Sequence, residues 1–297
     1  MTRLRSVAAL FMAVMSVGVC SARDVSPASL HRLLVLSGTA QQVQQIPVLL
    51  RLGLQEAKQR VELQAKTPSK KAAFAIEFTQ IEQVMNTTFR PADIMRIIAQ
   101  HVTHNVSEQD ARAMLAWFQS PTGRRISQAE ENASTPQAYR QMIASARTSL
   151  ANRPRVHFAI ELDKLLHITK SAMTLDENNA LAMFTALAGA AHPGHPVPTK
   201  AFRETIAQKL QQARPKFEML TIITSVYTYR HIPMTSLHKY LTFLKTPGAM
   251  RFNKSLQRGL ETGIRQAMTK LAKAIVVIGQ RISRHAHTAR PAHPGQP

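Results

Sequence analysis

The sequence has almost no cysteine: its one copy, Cys20, sits at the end of the first apolar run. Once that run is removed, no disulfide, cysteine nucleophile or thiolate metal site is possible. Glycine is scarce, at 11 of 297 residues, and only short runs such as Thr221 to Tyr227 hint at the two-residue period of a strand. Alanine, leucine, glutamine, arginine and lysine are common, and the composition is that of an all-α protein. Acid is also in short supply: 17 Asp and Glu stand against 38 Lys and Arg, a formal net charge of +21. A chain this basic attracts polyanions. No H-E-x-x-H, nucleophile-elbow, Walker or dinucleotide-binding pattern occurs. The expectation is a non-enzymatic protein with no cofactor.

The N-terminus bounds where that charge acts. Arg3 and Arg5 precede an apolar run from Ser6 to Val19, which is short for a membrane span. Cys20-Ser21-Ala22 ends that run in small residues, so residues 1–22 are predicted to be a signal peptide cut after Ala22. The predicted location is periplasmic or secreted, with no transmembrane span in the mature form. The alternative is a lipoprotein acylated on Cys20, for which Val19 in the preceding position is a poor fit. Outside the cytoplasm the nearest polyanions are lipid head groups and acidic envelope polymers rather than nucleic acid. Another envelope protein is a further candidate partner.

Two phrases in the chain match each other. "MLAWFQSPTGRRIS" begins at Met114 and "YLTFLKTPGAMRFN" at Tyr240, an offset of 126 positions. Ala111, Met114, Leu115 and Phe118 fall on Leu237, Tyr240, Leu241 and Leu244, each set with the i, i+3, i+4, i+7 spacing of one helix face. Trp117 falls on Phe243 and Ile126 on Phe252, and no gap is needed between Ile94 and Ile126. Ser120-Pro121 and Thr246-Pro247 read as helix–corner–helix joints. The hydroxyl caps the new helix, proline suits its first position, and the residue before proline is pushed out of helical geometry. Arg125 and Arg251 lie one turn into each new helix, facing solvent or a neighbour's carboxylate.

The predicted organisation is two related helical halves, 23–152 and 153–282, after the signal peptide and before a disordered basic tail, 283–297. Helices are expected over Ser29 to Leu36, Gln41 to Gln64, Lys71 to Phe89 and Pro91 to His104. Ser107-Glu108-Gln109-Asp110 reads as an N-terminal cap. The boundary falls at Asn152-Arg153-Pro154. Further helices are expected from Val156 to Ile168, Asp176 to Ala190, Thr199 to Ala213, Pro215 to Tyr229, Pro233 to Lys245 and Pro247 to Ile282, with an exposed Pro-rich loop over 191–198.

Leu33-Leu34-Val35-Leu36-Ser37-Gly38 and Trp117-Phe118-Gln119-Ser120-Pro121-Thr122-Gly123-Arg124 together resemble an exported bacterial helical family, domain of unknown function 2059. The likeness is clearest from Ser29 to Asn132. It is looser in the second half, through Tyr229, Tyr240, Phe243, Thr246-Pro247 and Gly248, where Leu166 is not followed by Ser-Gly and Gly248 sits one place earlier than Gly123 relative to proline. The resemblance implies an exported all-α protein and carries over no catalytic residue.

Other chemistry is thin. His192 and His195 put two imidazoles in the Pro-rich loop, an alternative zinc or copper site that lacks a third ligand by spacing. His101 and His104 share a helix face, and His285, His287 and His293 lie in the tail. Glu130-Glu131 and Glu161-x-Asp163 do not face each other on a helix and are expected on solvated surface. Trp117 and Phe118 are expected in the first core. Ile264, Met268, Leu271, Ala274, Ile275 and Ile278 form a stripe on the last helix, suited to packing or to a membrane interface. The leading reading is an interaction module with affinity for anionic envelope surfaces. The alternative is a metal-dependent or hydrolytic envelope enzyme whose site assembles only in the fold.

Overall fold

The computed structural model describes residues 24–64, 67–192 and 195–288, and these are all-α. In the first half the helices are α1 (Pro27–Leu36), α2 (Thr39–Gln64), α3 (Pro68–Thr88), α4 (Pro91–Thr103), α5 (Glu108–Gln119), α6 (Pro121–Ala133), α7 (Pro136–Ala144) and α8 (Ala146–Ala151). The second half holds α9 (Arg153–Leu166), α10 (Ile168–Ala191), α11 (Lys200–Thr228), α12 (Met234–Leu244) and α13 (Pro247–Thr288). Among the described residues the β pairing is an isolated antiparallel bridge between Asp24 and Ser107. No helix of the described residues is long and apolar enough to cross a membrane.

Local chemistry explains most helix starts. Ser26 Oγ accepts the Ser29 N–H at 3.2 Å ahead of Pro27. Ser107 and Asp110 close a reciprocal capping box at 3.1 and 3.3 Å. Both proline joints form as expected: Ser120 Oγ accepts the Gly123 N–H at 3.0 Å, and Thr246 Oγ1 accepts the Ala249 N–H at 3.4 Å. The α1–α2 corner turns at Gly38, whose φ of 74° is open to glycine without steric cost.

The largest departures from the expected helices are at α10, α11 and α13. α10 starts at Ile168 rather than Asp176, because His167 itself makes the corner at φ 53° and Asp163 Oδ1 caps the Thr169 N–H at 2.7 Å. Pro215 does not divide its segment; α11 runs through it as one helix. Proline there removes one backbone donor, and packing of α11 along α8, α9 and α10 outweighs that loss. α13 continues to Thr288, past Ile282, since no glycine or proline intervenes before Pro291. Residues 289–297 of the expected tail lie outside the described residues.

The halves exchange helices. Around α1, α4 and α5, Leu33, Ile94, Ile98, Val102, Met114 and Phe118 form one core, and Phe252 of α13 completes it. Around α9, α11 and α12, Phe158, Leu162, Tyr229, Leu237, Leu241 and Leu244 form another, completed by Ile126 of α6. Ile126 and Phe252 are the corresponding positions of the two phrases. Trp117 and Phe243, also corresponding positions, pack against both cores and stack on each other at 4.5 Å with planes 7° apart. Trp117 therefore sits between the cores rather than inside the first.

The long helix α13 also lies close along α4. A Cβ on Gly259 would stand 2.7 Å from Ile98 Cα, and one on Gly263 would stand 3.3 Å from Ile94 Cγ2. Farther on, the α13 stripe is taken up by α3: Ala267 and Leu271 are buried with Met85 and Phe89, with Ile264, Met268 and Ile275 beside them.

Candidate functional site

The joint at Pro121 aims α6 into the middle of the molecule, so its faces meet different surroundings. Ile126 is buried in the second core. Glu130, Ala133 and Ser134 line a cavity of about 470 Å³ between the halves. Arg124, Arg125, Gln128 and Asn132 line a separate cleft of about 490 Å³.

The cavity is organised by Glu130. Its Oε1 accepts the hydroxyl of Tyr229 at 2.6 Å and that of Tyr240 at 2.9 Å. The expectation of a solvated Glu130 is corrected here. Helical spacing turns Glu130 away from Glu131, but Tyr229 and Tyr240 arrive from the end of α11 and from α12, far along the chain, and bond to it. Burial pushes the Glu130 carboxyl above the usual carboxylate range; the two tyrosine hydroxyls act against that push, and the charge of Glu131 adds to it. Burial and the nearby carboxyl hold both tyrosines well above their ordinary values, so they remain hydrogen-bond donors.

The remaining wall mixes two chemistries. Leu162, Leu166, Ile168, Leu220, Phe252 and Leu256 are apolar, and Ser37, Thr39, Thr221, Thr224 and Thr228 carry hydroxyls. Several hydroxyls are already paired, Ser37 with Thr39 at 2.8 Å and Thr169 with Thr221 at 3.1 Å. Among the described residues no lysine, arginine or histidine lines this cavity.

The second cleft is its electrostatic opposite. Arg124, Arg125, Arg230 and His231 line it together with Gln128 and Asn132, and no carboxylate does. Arg230 donates to the Tyr227 carbonyl at 2.7 Å and lies 3.8 Å over the Tyr227 ring. Arg124 donates to the Gln119 carbonyl.

Arg125 and Arg251 correspond in the two phrases but differ in fate. Arg251 grips Asp110 with two nitrogens, at 2.7 and 2.8 Å from Nη2 and 3.1 Å from Nε. Burial opposes ionisation of Asp110, yet the Arg251 guanidinium and Ser107 hold its carboxyl below the usual range. Gly248 leaves room for this contact, since a Cβ there would stand 2.8 Å from Asp110 Oδ1. The position matching Asp110 in the second half is Ser236, so Arg125 meets no such acid and faces the open cleft. On Gly123 a Cβ would collide with the Trp117 carbonyl, which ties this glycine to the tight first joint.

The histidines do not converge. His192 and His195 are exposed, and among the described residues no group of three His, Cys, Asp or Glu could hold a metal. His101 and His104 end α4 apart from any such group, and the tail residues His285, His287 and His293 have no described side chain. Glu161 pairs with His157 at 3.3 Å. Tyr229 and Tyr240 stand out in the sequence only as family-like positions, and neither their bonds to Glu130 nor the cavity is foreseen; the signal available was that Tyr240 falls on an apolar helix face, where a hydroxyl needs a partner.

No curated protein and no solved structure matches the chain. Residues 92–147, from α4 into α8, match the model of the family described as Uncharacterized protein conserved in bacteria (DUF2059), so the segment that carries the first joint, Arg124, Arg125 and Glu130 bears that family's signature.

Proposed function

We propose that this protein is a non-enzymatic interaction module exported to the bacterial cell envelope, where its basic exterior holds to anionic surfaces. The observation that carries the reading is the cleft formed by Arg124, Arg125, Arg230 and His231 without a carboxylate. The few acids of the chain support it from the other side, because several have internal work. Glu108 binds the Ser26 N–H and the Ser29 hydroxyl, Asp110 binds Arg251, and Asp163 caps α10. The excess of Lys and Arg is thus left outside, where each basic residue near an anionic membrane contributes about 1 kcal/mol. In this reading residues 1–22 direct export, with lipid attachment at Cys20 as the alternative. The two halves descend from one duplicated unit, which the exchange of α6 and α13 and the Trp117–Phe243 stack favour.

The test is co-sedimentation with vesicles of phosphatidylglycerol or phosphatidylcholine at about 0.05 M and 0.3 M salt. Binding to the anionic vesicles alone, weakened by salt and by Arg125→Ala/Arg230→Ala, is expected. Equal binding to neutral vesicles, or none to either, would refute the reading. A second reading, a hydrolytic or metal-dependent envelope enzyme, draws on the raised Glu130 carboxyl in its cavity. Stoichiometric zinc or copper in protein purified without a histidine tag would favour it.

A further inference from the structure

The chain is strongly basic, yet the cavity between its halves is lined by one carboxyl and no cation. That contrast disfavours an anionic ligand, since an entering anion would find no counter-charge in the wall. Glu130 is also incompletely used. Among the described residues both tyrosine hydroxyls go to Oε1 and no donor reaches Oε2, and the residue lines the cavity. A carboxyl half-satisfied in a low-dielectric site is costly, and a positively charged donor is the partner that relieves it most.

The rest of the wall restricts the size and shape of that donor. A volume of about 470 Å³ lies in the range of small-molecule sites. Thr221, Thr224 and Thr228 add hydroxyl oxygens to the wall, that of Thr224 donating to Met142 Sδ at 3.2 Å. An ammonium carries three donors and no acceptor, which suits one carboxylate oxygen and neighbouring hydroxyls. Leu162, Leu166, Ile168 and Leu256, also in the wall, accept a hydrocarbon body.

We propose that this cavity binds a small cationic amphiphile, a primary amine on a short apolar body, with the ammonium on Glu130 Oε2. The site is distinct from the basic cleft and does not rest on the surface-binding reading.

Calorimetric titration of the full-length protein with hexylammonium, 1-hexanol and hexanoate at constant ionic strength tests it. Glu130→Gln keeps an oxygen that accepts from both tyrosines but removes the charge. The wild type is expected to bind hexylammonium saturably and hexanoate not at all. Glu130→Gln should weaken hexylammonium by about 10- to 100-fold and leave hexanol unchanged. Thr224→Trp, at an exposed position of the wall, should block hexylammonium and hexanol alike, with its fold checked by circular dichroism because Thr224 also donates to the buried Met142. Three outcomes would overturn the proposal: no saturable hexylammonium binding to the folded wild type, unchanged binding in either variant, or hexanoate binding as well as hexylammonium. Anionic-vesicle binding should be the same for wild type and Glu130→Gln, which separates this failure from that of the surface reading.

Discussion

Phe252→Ala is the most direct probe of how the two halves hold together. Phe252 belongs to the second half, yet its side chain is 2% exposed inside the first core. It meets Phe118 edge-on at 6.4 Å, and the residues that follow it lay α13 along α4. Truncating a buried phenylalanine costs about 3–5 kcal/mol through lost transfer energy and the cavity left behind. Phe252 also borders the existing cavity, so the lower part of that range is expected. Against a total stability of about 5–15 kcal/mol this is a large fraction.

Urea unfolding followed by far-ultraviolet circular dichroism and by fluorescence measures it. Trp117 is the sole tryptophan and touches both cores, so its emission reports on the junction while dichroism reports on all helices. Both signals should shift together to lower urea in one transition, because neither core is complete without the other half. Ile126→Ala, the reciprocal change, should behave the same way at about 2–5 kcal/mol. A loss under about 1 kcal/mol for Phe252→Ala, or an early transition confined to part of the helical signal, would refute the exchange of α6 and α13.

Three further outcomes are expected. The Ser26 N–H, the Ser29 hydroxyl and Arg112 pull the Glu108 carboxyl from 4.5 to about 2, so its contribution is intact above the ordinary value and lost as pH falls from 4.5 toward 2; Glu108→Gln should flatten acid unfolding in that window. Glu130 has the opposite sign: its raised carboxyl costs stability as pH rises from the ordinary value through the raised one, so Glu130→Gln should melt at a higher temperature than wild type at neutral pH. Gly259→Ala should cost about 1–3 kcal/mol by urea titration, because the Ile98 backbone lies where its Cβ must go, whereas Gly53→Ala in α2, whose Cβ would meet nothing within 4 Å, should be neutral or stabilising.

Much of the local architecture was legible because it is encoded at short range. Ser107 and Asp110 lie three residues apart, as do Ser120 and Gly123, and the caps they form are the ones their residue types suggest. Pro215 and the start of α10 were misjudged for the same reason in reverse. Packing of α11 carried the helix through a proline, and a left-handed His167 made a corner that no glycine marked. The Glu130 cavity was illegible because its partners lie 99 and 110 residues away.

The order of apolar stripes, the two proline joints, the all-helical class and the surplus of positive charge follow from the amino-acid sequence alone, since each depends on neighbours within a turn or two or on simple counting. Which stripe meets which was decided by tertiary structure. Ile126 and Phe252 could each have closed the core of their own half; instead each enters the other's, with Trp117 stacked on Phe243 between them. Burial is non-directional and rewards any apolar surface removed from water, so hydrophobic pattern leaves that choice open, and only the close fit of whole helices settles it.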